Sequence, residues 1–131
     1  MAFYNLPLRL LKLVKESIDE GQPIMSMEQA IWRMTGDQAD WFSVDAGRIR
    51  KGDRADVVIL DPAAFDQDLE QVHWAEMENF GLQRLVNRNP GIVKHVFING
   101  RQAVNNETLS TSLGHEKGFG RFTPALQVSS R

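Results

Sequence analysis

Apolar residues recur at three- and four-residue spacing early in the chain: Leu10, Leu11, Val14 and Ile18 share one side of a helical turn, while Arg9, Lys12, Lys15, Glu16 and Asp19 take the others. This spacing predicts an amphipathic helix over 6–20. Pro7 sits in its first turn, where a missing N–H costs nothing, and Gly21 with Pro23 ends it. A second helix over 26–35 is announced by Ser26 followed three residues later by Gln29, a pair whose side chains and backbone amides cap each other reciprocally. Met27, Ala30, Ile31 and Met34 form its apolar face, Trp32 extends that face, and Gly36 closes it. The piece 37–42 reads as one more helical turn, with Ala39, Trp41 and Phe42 available for packing.

The period then changes. Val57-Val58-Ile59-Leu60 is a short apolar run, β-branched at three positions and bounded by Gly52-Asp53 and Asp61-Pro62, which predicts a strand buried on both faces. A further strand runs from Val93 to Ile98, meets Asn99-Gly100 and returns through Gln102-Ala103-Val104. Asn-Gly between two apolar runs marks a two-residue hairpin, because both central residues of a type I′ turn take positive φ. The intervening stretch 63–92 is too long for a plain loop; Leu82–Val86 reads as a short helix, and the remainder as a surface crossing. Beyond Leu109 the chain is rich in Gly, Ser and Thr, and 124–131 reads as a disordered tail. The expected fold class is α+β. Helices occupy 1–46, and a small, incomplete β domain with the 93–104 hairpin and the 63–92 insertion occupies 47–123.

Composition narrows the chemistry. The 131 residues suit one domain, and a formal net charge of −2 gives no positive field to gather nucleic acid or an anionic membrane. No cysteine occurs, which excludes a disulfide framework, a thiolate metal site and cysteine nucleophilic catalysis and fits a reducing cytoplasm. No apolar run reaches the roughly 20 residues that span a bilayer. Neither nucleic acid nor membrane is an expected partner.

The histidines His73, His95 and His115 show no H-x-H or H-E-x-x-H spacing, and each reads as a structural or surface residue. In the strand, His95 shares its side with Val93 and Phe97. No G-x-S-x-G elbow is present. The glycines in Gly114-His115-Glu116-Lys117-Gly118-Phe119-Gly120-Arg121 match no phosphate-loop spacing, so this segment reads as a flexible loop with Phe119 and Phe122 packing back on the body. Arg48, Arg50, Lys51 and Arg54 cluster locally but are interleaved with Asp45, Asp53 and Asp56, which is the pattern of a solvated turn. Asp66, Asp68 and Glu70 form an exposed acidic stretch.

One long stretch carries a family likeness. Glu28-Gln29-Ala30-Ile31-Trp32-Arg33-Met34-Thr35-Gly36, then Ala39-Asp40-Trp41-Phe42, then Gly47-Arg48-Ile49-Arg50-Lys51-Gly52-Asp53-Arg54-Ala55-Asp56-Val57-Val58-Ile59-Leu60-Asp61-Pro62 resembles the C-terminal section of the metal-dependent amidohydrolase superfamily. There, a helix bearing A-x-x-x-x-T precedes G-x-I-x-x-G-x-x-A-D-[VIL]-V-x-[VIL]-D. Val93–Gly100 is similar to the family's closing hairpin, V-x-x-V-x-[IV]-N-G. The resemblance covers roughly 25–105 and is greatest to the branch of N-acyl-D-amino-acid deacylases, the D-aminoacylase-like proteins. The motif residues have folding roles of their own: Gly47 and Gly52 allow tight turns, Ala55 allows close packing, and Asp56 can bond turn backbone where the strand starts.

The resemblance implies a zinc hydrolase whose centre lies at the mouth of a (β/α)₈ barrel, built from an H-x-H, a bridging ligand, two further histidines and an aspartate. None of these maps onto this chain, so no catalytic residue, metal ligand or cofactor is expected within it. The chain would begin just after the last barrel aspartate, with helices 6–20 and 26–35 as the barrel's final helical section. Tyr4, Asn5 and Arg9 would then follow the last barrel strand and could approach the mouth on the substrate side, with capping and packing as the plainer reading of all three. Two functions follow. One is the C-terminal portion of an amidohydrolase that cleaves C–N bonds of linear amides, inactive alone and paired with the missing barrel portion. The other is a free-standing non-catalytic module that forms a homo-oligomer, such as a dimer, or docks on a partner through exposed strand edges.

Overall fold

The structure, a computed structural model, describes residues 5–66, 68–77, 80–87 and 90–126. Three helices, α1 (Leu6–Asp19), α2 (Met27–Met34) and α3 (Gly36–Trp41), precede two antiparallel sheets, so the fold is α+β. Strands β1 (Val57–Leu60), β4 (Val93–Ile98), β5 (Arg101–Asn105) and β6 (Thr108–Leu109) form one sheet in the order β1-β4-β5-β6. Among the described residues, strands β2 (His73–Met77) and β3 (Leu82–Val86) pair only with each other.

The helices form where local signals place them. Pro7 lies in the first turn of α1. Ser26 accepts a hydrogen bond from the Gln29 amide while the Gln29 side chain accepts one from the Ser26 amide, which completes the reciprocal cap of α2. On α1, Leu11 and Val14 are buried and Leu10 packs beside them, but Ile18 is 43% exposed, and Ser17, which donates to the Val14 carbonyl, turns inward instead. Gly36 opens α3 rather than closing a helix, and the Trp32 ring covers it so closely that a Cβ there would lie 1.9 Å from a ring carbon. Ile31, Trp41 and Phe42 are exposed, and only Ala39 of the short third helix's apolar side chains is buried. A six-residue helix has one inward stripe, and the small residue occupies it.

The core of Leu11, Val14, Ala30, Phe65, Leu69 and Ile92 lies between α1, α2 and the connections on either side of β2 and β3. The stretch 63–92 thus supplies Phe65, Leu69 and Ile92 to the interior, where a surface crossing was expected. A 3₁₀ turn over Pro62–Asp66 directs Phe65 inward. Leu82–Val86 is a strand, not a helix. Five residues cannot repay helix nucleation, whereas a ladder to β2 sets Trp74 opposite Leu85 and Glu76 opposite Gln83.

The run 57–60 also departs from expectation. It is an edge strand paired with β4 alone, and Val58 and Ile59 are 56% and 44% exposed, because no second layer lies over it among the described residues. Leu60, at its end, packs with Val93 on the helical core. Of the tail expected over 124–131, Ala125 pairs with Val44 and the Leu126 amide donates to the Ser43 carbonyl; residues 127–131 lie outside the described residues.

Ile92 is fully buried and joins the start of β4 to both helices. Ile92→Ala is expected to destabilise the protein by about 2–5 kcal/mol, read from urea unfolding followed by circular dichroism. A loss below about 1 kcal/mol would show that the sheet and helices do not share this core.

Candidate functional site

Ala55 and Asp56 of the motif meet Asn99 and Gly100 at the tip of the β4–β5 hairpin. Asn99 and Gly100 have φ of 52° and 78°, as a type I′ turn requires. The Asn99 amide donates to Asp56 Oδ1 at 2.7 Å, and the Gly100 amide donates to the Ala55 carbonyl at 2.8 Å. The Ala55 methyl also packs on this turn, since a Cβ added to Gly100 would stand 3.8 Å from it. Asp56 therefore does bond turn backbone where its strand begins, and the turn it bonds is the distant hairpin. Its other oxygen pairs with Arg54 at 2.6 Å, and Arg54 in turn donates to Thr123 Oγ1.

The same tip gathers the glycine-rich segment. Asn99 Nδ2 donates to the Gly118 carbonyl at 3.3 Å, and Arg101 donates to the Lys117 carbonyl and pairs with Glu116. The Arg101 guanidinium lies 4.3 Å from the centre of the Phe119 ring. Phe119 is buried, but Phe122 is 87% exposed, against the expectation that both would pack back.

The three arginines of the basic cluster are each paired with a carboxylate. Arg48 pairs with Asp40 at 2.6 Å and stacks on Trp32, and Arg50 pairs with Asp53. The hydrogen bond from Arg50 holds the Asp53 carboxyl below its ordinary value, and the same contact raises Arg50. The cleft between Asp45 and Asp56 has a volume of about 20 Å³, room for about one water, so the cluster is not a substrate pocket.

Among the candidate substrate-side residues, Tyr4 lies outside the described residues. Asn5 is buried, and its side-chain amide donates to the Leu69 carbonyl, which also accepts from Asn87. Arg9 pairs with Glu70 at 2.8 Å beside an open groove of about 530 Å³ along α1. Asn5 and Arg9 thus fasten the start of α1 to residues 69–70, a role in packing. His95 stands beside Phe97, with Nδ1 3.2 Å from Gln102 Nε2, while His73 and His115 lie on β2 and in the 111–115 turn. The partners Leu69, Gln102, Gly118 and Thr123 carried no sequence signal, since each acts through long-range contact.

No family model matches the chain, and no solved structure matches it. It is 43% identical over 101 residues to uncharacterized proteins of Mycobacterium bovis and Mycobacterium tuberculosis. The aligned stretch is 76% of this chain but 16% of each relative.

The two motif glycines separate in their demands. Gly47 has φ of 75°, and a Cβ there would lie 2.5 Å from the Thr35 carbonyl oxygen, whereas Gly52, at φ of 95°, faces open space. Gly47→Ala is expected to lower stability by more than about 2 kcal/mol and Gly52→Ala by about 1 kcal/mol, measured by urea unfolding. Equal losses would remove the close approach of residues 35 and 47 as the reason for Gly47.

Proposed function

We propose that this chain is the C-terminal portion of a cytoplasmic, metal-dependent amidohydrolase of the N-acyl-D-amino-acid deacylase type, a hydrolase of C–N bonds in linear amides. One observation carries the reading. The two separated parts of the family likeness, 47–62 and 93–100, meet as one interlocked unit in which Ala55 and Asp56 bind both amides of the Asn99-Gly100 turn. That gives Ala55, Asp56, Asn99 and Gly100 a folding task, as is expected of a part that supports a catalytic centre built elsewhere. The relatives support it further, because the aligned stretch is a small part of much longer proteins.

The zinc implied by the likeness has no fitting donor set here: among the described residues no three His, Asp or Glu side chains are arranged to hold a metal. No hydrolytic step is assigned to this chain's residues. The test is to supply N-acetyl-D-amino acids and zinc to this chain and, separately, to the full-length Mycobacterium tuberculosis relative, and to measure release of free amine. The relative is expected to hydrolyse them and this chain to show no rate above buffer. Hydrolysis by this chain, or none by the relative, would overturn the reading.

The exposed edge of β1 favours a second reading, a non-catalytic module that self-associates, because an unpaired apolar edge is a template for another strand. Sedimentation at micromolar concentration is then expected to show a dimer that Val58→Lys dissociates. A stable monomer would rule this reading out.

A further inference from the structure

The hairpin tip also carries a reactive dipeptide. In Asn-Gly, the glycine amide nitrogen can attack the asparagine side-chain carbonyl carbon. The bond to Nδ2 then breaks, ammonia leaves, and a succinimide ring remains, which water opens to aspartate or isoaspartate. Glycine permits this approach because it has no Cβ to obstruct it. Both residues here are exposed, so water reaches the site.

Every group this reaction needs is engaged elsewhere. The nucleophilic Gly100 amide donates its hydrogen to the Ala55 carbonyl at 2.8 Å. The Asn99 carboxamide donates to the Gly118 carbonyl at 3.3 Å, and the Asn99 amide is tied to Asp56 Oδ1 at 2.7 Å in a backbone with φ of 52°. The products would undo the same contacts. A carboxylate at 99 would lose the donor to the Gly118 carbonyl and set oxygen against oxygen there, and isoaspartate would add a methylene to a two-residue turn whose flanking pair is Ile98 and Arg101.

We propose that Asn99-Gly100 is a latent site of spontaneous deamidation, that residues 55, 56 and 118 hold it unreactive, and that modification there unfastens β1 from the hairpin. Asp56 is the positioning residue. The test is to incubate the protein in mildly alkaline buffer at physiological temperature and to follow the conversion of the amide at 99 to an acid, with the isoaspartyl peptide resolved by chromatography and mass spectrometry.

The folded protein is expected to deamidate at least about tenfold more slowly than the same chain in urea, the suppression that two ordinary hydrogen bonds confer on local opening. Asp56→Ala, folded by its circular dichroism, is expected to recover several-fold of the lost rate. Asp56→Asn keeps an acceptor oxygen and should stay slow, and Asp61→Ala, at the other end of β1, should match the wild type. Equal rates in the folded and urea-treated wild type would overturn the proposal whatever the variants do. So would a folded Asp56→Ala that reacts no faster than wild type.

Discussion

Two amides at the tip of a hairpin, bound by the carboxylate and carbonyl of residues 56 and 55, are the constraint on which the β half of this protein depends. A type I′ turn directs its backbone donors outward, and without a partner they would be left to water. Here they dock on the start of β1. That sets the register in which Val57 faces Phe97 and Val58 faces Val96. Because β1 has a neighbour on one side only among the described residues, this anchor does for it what a second flanking strand would do in the middle of a sheet.

The anchor spreads through charge. Asp56 holds Arg54, which reaches Thr123, and Arg101, next to the turn, collects Glu116, Lys117 and Phe119. Each of these pairs is partly exposed, and exposed ion pairs stabilise little one at a time. Their effect is geometric: they bring three stretches far apart in sequence to one place. The other end of β1 belongs to a different cluster, where Leu60 and Val93 pack with Ile92 against the helices. The strand thus links a polar junction to an apolar core, and its exposed middle, Val58 and Ile59, lies between the two.

This division bears on function. The conspicuous residues of the family likeness act in folding, and the charged groups nearby are spent on one another, Arg48 on Asp40 and Arg50 on Asp53. These residues are structural, and the aligned stretch is 16% of the length of each relative.

The sequence alone determined what short-range physics controls. Pro7 at a helix start, the Ser26–Gln29 cap and the Asn99-Gly100 turn each work within four residues, so their signals survive in a linear reading. Asp56 was legible as a residue that bonds turn backbone, and Gly47 as a tight-turn glycine, but neither the hairpin as the first one's partner nor Thr35 as the second one's obstacle could be read. Tertiary structure decided which surfaces are covered. It exposed Trp41, Phe42, Phe122 and the middle of β1, buried Phe65, Leu69 and Ile92, turned Asn5 toward Leu69, and made Leu82–Val86 a strand. Burial and strand pairing depend on what lies opposite a residue, and residues opposite one another here are often tens of positions apart in the chain.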